Sequence, residues 1–202
     1  MRVIVIGGTG TIGSAVVAAL SARYEVVTVG RTRGTFQVDL ASAESIRAMF
    51  QSVGKFDAVI SAAGQAKFGG LDELTDADYL FSFSNKLMGQ ANLVRIGRQL
   101  IADGGSFTLT SGVLSQEPIK GCASISMVNA GLEGFVRAAA LELSREVRVN
   151  VVSPPWVTET LVARKMDSTH GMPAAVVAKA YLSSVEGTMT GQTLDPRTLA
   201  GT

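Results

Sequence analysis

Short apolar runs alternate with longer segments of helical period along the chain, and this alternation constrains the fold most strongly. The run "RVIVI" at 2–6 precedes a helix-period segment, and "EVVTVG", "FDAVIS" and "VRVNVV" repeat the arrangement. Near-continuous apolar strands are typical of a parallel sheet that is covered by helices on both faces. Right-handed crossovers then predict an α/β fold, a single-domain Rossmann-type doubly wound parallel sheet over residues 1–202.

Helix boundaries can be predicted from capping residues. Ser42 and Thr75 each precede a helical pattern and are suitable N-caps. A long helical segment is predicted from about Asp76 to Ala102. The stretch "IADGG" at 101–105 is interpreted as the stop of that helix before the next strand.

Composition and charge exclude several classes of protein. Hydrophobic residues make up 47% of the 202 residues and charged residues 17%, which indicates a well-buried core rather than disorder. The 18 basic and 17 acidic residues form no long run of one sign, so neither nucleic acid nor a membrane surface is an expected partner. No apolar run reaches the ~20 residues of a membrane span.

The N-terminal run and the small number of cysteine and histidine residues suggest a cytoplasmic protein. The N-terminal run in "MRVIVIGG" is too short for a signal peptide and is interpreted as a buried strand. A single cysteine excludes an intrachain disulfide, and with a single histidine no metal site is expected. A reducing, cytoplasmic location follows as the expectation.

The first strand leads into a glycine-rich loop. Gly7, Gly10 and Gly13 follow the strand at three-residue spacing and precede a helix. Glycines also serve ordinary turns, but small residues before a helix N-terminus let the backbone approach a pyrophosphate. The strand–glycine–helix context therefore predicts a nucleotide phosphate site. Its expected residues are Gly7, Thr9, Gly10, Thr11, Ile12 and Gly13.

Two arginines follow the second strand, where a dinucleotide-binding fold meets the adenosine ribose. Arg31 and Arg33 stand in "VTVGRTRG" at a place where an acidic residue would suit a free 2′-hydroxyl. Guanidinium groups suit a 2′-phosphate instead, so the expected cofactor is NADP and NAD is the less favoured one. The alternative is that both are ordinary solvated loop residues.

Motifs along nearly the whole chain resemble the short-chain dehydrogenase/reductase family. They are "GGTGTIG", "SAAG" at 61–64, "SNKLMGQANL", "LTSG", "NAGLEGF", "NVVSPPWVTET" and "MTGQTLD". The resemblance implies a catalytic serine at Ser111 and the catalytic-helix asparagine at Asn85. It also implies cofactor contacts from Asp39, Leu40, Ala62, Ala63, Gly64, Pro154 and Val157.

The chain departs from the family in size. Arg31 to Gly34 passes almost directly into "TFQVDL", where relatives carry a helix, and the segment after Thr160 is brief. Because that later region covers the substrate in relatives, the resemblance implies a more open or shallower pocket, or one completed by a partner subunit.

The family's catalytic Tyr-x-x-x-Lys pair is missing. Aligning "NAGLEGF" with the family's catalytic helix places Ile125 at the tyrosine and Asn129 at the lysine. Since no tyrosine lies between Tyr79 and Tyr181, a shift of one turn does not restore the pair. The usual proton relay cannot operate. Four possible substitutes are interpreted as ordinary loop or helix-surface residues: Lys86, Glu117, Lys120 and Cys122.

Three functions remain open from the sequence. The first is an NADP(H)-dependent oxidoreductase of a small carbonyl or other activated acceptor, with a non-standard proton donor. In it Ser111 polarises the substrate oxygen, Asn85 supports the site and Asn129 holds the ribose. The alternative is a non-catalytic NADP(H)-binding sensor or scaffold; an isomerase or lyase is a third reading. Small residues at 130–140 are consistent with a homo-oligomer, a dimer or tetramer.

Overall fold

The sheet of the protein has the strand order of a doubly wound fold. The computed structural model describes residues 1–199, in which seven strands pair in parallel in the order β3-β2-β1-β4-β5-β6-β7. The order reverses between β1 and β4, which creates a crevice at their carboxyl ends. The strands are β1 Arg2–Ile6, β2 Glu25–Gly30, β3 Phe36–Gln37, β4 Phe56–Ser61, β5 Ile101–Thr110, β6 Arg148–Val152 and β7 Thr193–Leu194.

Helices cover both faces of this sheet, as the alternating pattern predicts. Buried side chains of α1 and α7 form the core on one face, and those of α2, α4 and α5 form the core on the other. The helices are α1 Thr11–Leu20, α2 Ala43–Val53, α3 Asp76–Ser82, α4 Gly89–Gly97, α5 Ala123–Glu142, α6 Thr158–Ala163, α7 Ala174–Glu186 and α8 Pro196–Leu199. None of the helices described is long and apolar enough to cross a membrane.

The first strand shows why the apolar runs lack polar alternation. Val3 and Val5 belong to the core beneath α1 and α7, whereas Ile4 and Ile6 belong to the core on the opposite face. All four side chains are at most 1% exposed. Because both faces are buried, each position stabilises the fold by roughly 1.5–3 kcal/mol.

The predicted helix starts are confirmed. The Ser42 side chain accepts a hydrogen bond from the Ser45 N–H at the start of α2. Thr75 forms a capping box with Asp78, in which each side chain accepts from the other residue's backbone N–H. These caps satisfy backbone donors that a helix leaves free at its N-terminus.

The predicted continuous helix from Asp76 to Ala102 is wrong in two respects. A π-helical segment, Phe83–Met88, separates α3 from α4, and α4 ends at Gly97. The stretch "IADGG" does not end a helix but begins β5. Ile101 is 2% exposed and pairs with Phe56, and a register shift then brings Ser106 opposite Ala58. Burial and strand pairing of Ile101 outweigh the local turn signal.

Candidate active site

The glycine-rich loop crosses the carboxyl ends of β1 and β4 at close range. Gly7 donates to Val29 O at 2.7 Å and accepts from the Gly10 N–H at 2.8 Å. Its φ of 79° suits glycine, and a Cβ there would lie 2.6 Å from Ala62 O. A Cβ on Gly13 would overlap Gly7 O. The loop therefore packs so closely against the sheet that no larger side chain fits at Gly7 or Gly13.

The start of α1 is suited to an anion. The helix begins at Thr11 after the N-cap Gly10, and glycine carries no side chain that could bond the first-turn N–H groups. Thr9, Gly10 and Thr11 are exposed, Ile12 is half-buried and Gly13 is buried. Free N–H groups and the helix dipole can therefore face a phosphate group at this point.

A cavity of about 290 Å³ lies beside the loop at the carboxyl edge of the sheet. Residues at the ends of β1, β2 and β4 and residues of the segment after β3 line this cavity. It lies where the strand order reverses. Six predicted cofactor residues line it together: Gly7, Arg31, Asp39, Leu40, Ala63 and Gly64. The glycine cradle and this cavity fit the adenosine half of a dinucleotide.

The two arginines lie on an exposed turn between β2 and β3. Both side chains are exposed, and of the two only Arg31 lines the cavity. The Arg33 carbonyl fills the space that a Cβ on Gly30 would need. Among the ion pairs of residues 1–199, neither guanidinium takes part. Both remain able to bind an anionic group, and Arg31 has the closer position.

Two of the three predicted catalytic residues, Ser111 and Asn129, lie near the end of β5, whereas Asn85 lines the cavity beside the segment after β4. Asn85 is 9% exposed, and its Oδ1 accepts from the Gln65 N–H at 2.7 Å. Asn129 is 1% exposed and donates through Nδ2 to Gly112 O at 3.1 Å. Within residues 1–199 the Oδ1 of Asn129 has no hydrogen-bond partner. A buried amide oxygen without a partner is costly, which suggests that a ligand donor or water satisfies it.

Ser111 lies at the expected place, but its hydroxyl is turned inward. The residue is 2% exposed, and Oγ donates to Glu133 Oε1 at 3.1 Å. Contact between this hydroxyl and a substrate oxygen therefore requires a rotation away from α5.

The sequence prediction missed Glu133, a buried carboxylate on α5. It is 5% exposed and accepts from the hydroxyls of Ser111 and Ser115, the latter at 2.7 Å. The hydrogen bond from Ser115 links α5 to the 3₁₀ turn Val113–Ser115. The position of Glu133 four residues after Asn129 places both on one helical face, which is a signal that could have identified it.

The interpretation of Lys86 as a surface residue is wrong. It lies in the π-helical segment, is half-buried, and donates from Nζ to Ser111 O at 3.0 Å. Burial lowers the pKa of Lys86 to about 8. Sequence patterns did not identify it, because the π-helical turn changes which face of the helix Lys86 occupies.

The other potential proton donors lie elsewhere or are engaged. Glu117 is exposed and pairs with Arg197 at 2.8 Å, and Lys120 is exposed. Cys122 is buried at the N-cap of α5. Tyr181 is fully buried, its hydroxyl lies 2.6 Å from the Thr110 hydroxyl, and burial raises its pKa.

The segment after β6 borders the same site. Pro154 is buried and its carbonyl accepts from the Val113 N–H at 3.1 Å, beside the end of β5. Val157 is 5% exposed and forms a bridge with Met172. In the described part of the chain, no cluster of three histidine, cysteine or acidic residues could hold a metal ion.

A parallel sheet with a glycine cradle and a cavity at its strand-order reversal defines a dinucleotide-binding protein. Residues 11–190 match the family model described as enoyl-(acyl carrier protein) reductase. The chain belongs to the short-chain dehydrogenase/reductase family.

Solved structures of similar length share the whole fold. The protein lin1944 from Listeria innocua is 41% identical with a TM-score of 0.93, over 96% of this chain and 98% of that chain. A small-chain dehydrogenase in complex with NADPH is 26% identical with a TM-score of 0.85, over 96% and 95% of the respective chains.

Curated relatives are longer reductases. The 3-oxoacyl-[acyl-carrier-protein] reductase of Mus musculus is 27% identical over 187 residues, which span 82% of this chain and 79% of that protein. The hydroxynaphthalene reductase arp2 of Aspergillus fumigatus is 30% identical over 134 residues, or 64% of this chain. This match spans 49% of arp2, about half its length.

Proposed function

We propose that the protein is an NADP(H)-dependent oxidoreductase that acts on a small carbonyl compound or another activated acceptor. The observation that carries the proposal is the glycine cradle that opens into a cavity beside Arg31. The NADPH bound to a structurally similar dehydrogenase supports it. Residues 1–202 would then form one NAD(P)-binding domain, of which residues 200–202 lie outside the described residues.

The cofactor is proposed to bind along the carboxyl edge of the sheet. Phosphate groups would contact the backbone at the start of α1, and the 2′-phosphate would meet the two arginines. The proposed contact residues are Gly7, Thr9, Gly10, Thr11, Ile12, Gly13, Arg31, Arg33, Asp39, Leu40, Ala62, Ala63, Gly64, Pro154 and Val157. When bound, the cofactor supplies the hydride that reduces the acceptor.

The proposed catalytic end contains Ser111, Asn85 and Asn129. Asn85 holds the backbone of Gln65 in place beside the cavity. Asn129 offers a free amide oxygen for a ribose hydroxyl. Ser111 would polarise the substrate oxygen after its hydroxyl rotates away from Glu133. The proton donor is non-standard, since Ile125 has no proton to give.

A non-catalytic NADP(H)-binding sensor or scaffold is the second candidate. The observation that favours it is the pair Ile125 and Asn129 on α5, where neither side chain can act as an acid at neutral pH. The nucleotide site would then serve binding alone.

Cofactor oxidation separates the two candidates. We would follow NADPH absorbance against aldehydes, ketones, quinones and enones with the wild type, Ser111→Ala and, as a matched control, the exposed Ser21→Ala. Turnover that falls in Ser111→Ala but not in Ser21→Ala supports the enzyme. Tight NADPH binding without turnover on any acceptor supports the sensor, and failure to bind NADPH overturns both candidates.

We further propose a homo-oligomer, a dimer or tetramer, that works in the cytoplasm. Exposed apolar side chains on α3, the π-helical segment and α5 support the subunit contact: Leu80, Phe83 and Met127. The single thiol, Cys122, is buried, which is consistent with a reducing compartment.

A further inference from the structure

A single buried carboxylate oxygen holds the hydroxyl that the proposed reaction needs. Oε1 of Glu133 accepts hydrogen bonds from Ser111 Oγ at 3.1 Å and from Ser115 Oγ at 2.7 Å. A serine hydroxyl has only one hydrogen to donate. The other acceptor near Ser111 Oγ is Val152 O, which is more distant at 3.4 Å. The contact with Glu133 therefore fixes the inward orientation of Ser111.

The Glu133 carboxylate depends on these two hydroxyl groups. It is 5% exposed, and none of the ion pairs within residues 1–199 includes it. A buried carboxylate without a counter-charge is stable only when it is hydrogen-bonded. Hydrogen bonds to a charged acceptor are also about twice as strong as neutral ones. The carboxylate therefore opposes any contact of the Ser111 hydroxyl with a substrate.

Ser115 can replace Ser111 as the donor to the carboxylate. Its hydroxyl binds the same Oε1 at the shorter distance, from the 3₁₀ turn that follows β5. The other acceptor of this hydroxyl, Gly112 O, is farther away at 3.0 Å. When Ser111 turns away, Oε1 thus keeps one donor. Without Ser115, the same rotation would leave a buried charged acceptor unsatisfied, which is costly.

We infer that Glu133 and Ser115 are positioning residues that set how readily the Ser111 hydroxyl turns from α5 to the substrate oxygen. This inference rests on the proposed oxidoreductase function. The carboxylate holds the hydroxyl inward, and Ser115 lowers the cost of releasing it. Both residues act through Ser111. The contrasting explanation is structural, with Glu133 serving only to link α5 to the 3₁₀ turn.

Two substitutions separate these explanations, because they should change turnover in opposite directions. Glu133→Gln keeps an acceptor oxygen but removes its charge, so turnover of NADPH with a carbonyl acceptor should rise about fivefold. Ser115→Ala removes the replacement donor, so turnover should fall about tenfold. Ser21→Ala, an exposed serine on the far side of α1 from the loop, should match the wild type. The dissociation constant of NADPH should be the same in all four proteins.

A structural link predicts a different result. Its loss would lower turnover in both variants, or would leave both unchanged. Any result other than a rise in Glu133→Gln and a fall in Ser115→Ala overturns the inference. A wild type that does not oxidise NADPH with any acceptor refutes the proposed function instead.

The orientation of Ser111 can also be measured without turnover. Three-bond couplings in protein with ¹³C- and ¹⁵N-labelled serine give the χ1 rotamer, and Ser111→Ala assigns the signal. A single rotamer in the wild type and a mixture in Glu133→Gln support the inference, whereas the same rotamer in both overturns it. If Glu133→Gln does not fold, the wild type decides the question. NADP⁺ and a ketone, which cannot react with each other, should then change the Ser111 rotamer, and an unchanged rotamer overturns the inference.

Discussion

At the scale of single residues, Arg31 and Arg33 differ in what they can contact. Both are exposed on the turn after β2, but only Arg31 lines the cavity beside Asp39 and Leu40. A guanidinium at the rim of an adenosine cavity can form charge-assisted hydrogen bonds to a 2′-phosphate, which NADH lacks. Cofactor preference should therefore depend on Arg31 more than on Arg33.

We predict that Arg31→Ala lowers the preference for NADPH over NADH by about 10- to 100-fold, the effect of a lost charged hydrogen bond. Arg33→Ala should have a smaller effect. The measurement is the ratio of the two dissociation constants for each variant and the wild type. A wild type that prefers NADH would contradict the assignment of both arginines.

A second prediction concerns how Lys86 makes the folding stability of the protein depend on pH. Burial lowers its pKa from the ordinary 10.5 to about 8 in the folded protein. Between these values the folded state releases the proton while the unfolded state keeps it, so the free energy of unfolding rises with pH. Below pH 8 both states hold the proton, and the burial cost is present in full.

Denaturant unfolding of the wild type and Lys86→Met at pH 7 to 10 measures this effect. The free energy of unfolding of the wild type, minus that of the variant, should increase between pH 8 and 10. Taking the difference removes the contributions of groups that titrate in both proteins. A constant difference would show that Lys86 titrates as an ordinary exposed lysine does.

At the scale of elements, the glycine loop tolerates little change. A Cβ at position 13 would overlap Gly7 O, where α1 packs onto the loop. We predict that Gly13→Ala lowers the free energy of unfolding by about 3 kcal/mol and abolishes NADPH binding. Ser14→Ala, an exposed change on the same helix, is the control for thermal unfolding and binding. Wild-type behaviour of Gly13→Ala would mean that the loop can move away from β4.

The elements also show what the sequence can and cannot predict. Apolar periodicity was sufficient to predict the alternation of strands and helices, and local caps to predict the helix starts at Ser42 and Thr75, because these depend on neighbouring residues. The start of β5 depends on Ile101 pairing with Phe56, a contact that local turn signals do not contain. The π-helical segment was missed for the same reason, and with it the position of Lys86.

The candidate site, too, could be predicted from the sequence only in part. Glycine spacing and strand ends predicted the nucleotide cavity, and six of its expected residues line it together. The inward rotation of Ser111 depends on a carboxylate from a distant helix, Glu133. Side-chain orientation is set by tertiary contacts, so a motif gives the position of Ser111 but not the direction of its hydroxyl.

At the scale of the whole molecule, three helical segments that pack together each carry an exposed apolar side chain. Leu80, Phe83 and Met127 are 64%, 42% and 46% exposed, and they belong to three elements that contact one another. Exposed apolar side chains on packed helices are typical of subunit interfaces. Two of these elements, the π-helical segment and α5, also carry Lys86 and Asn129.

We predict that the wild type is a dimer or tetramer and that Leu80→Glu/Phe83→Glu shifts it to monomer. Charges placed in an apolar contact are costly to bury, whereas on a free surface they have little effect. Size-exclusion chromatography with light scattering gives the mass of each, and Val162→Glu, at an exposed apolar residue on α6, is the control. A monomeric wild type at all concentrations would contradict the prediction.

The direct connection from β2 to β3 has a consequence for how a nucleotide enters and leaves. Residues 31–35 are all exposed and lead from β2 to β3 as a short turn, so this side of the cavity has only a thin wall. An adenine ring bound there would keep one edge accessible to solvent. We expect rapid exchange of the nucleotide, and capture of the protein on a resin that carries the nucleotide through its adenine amino group.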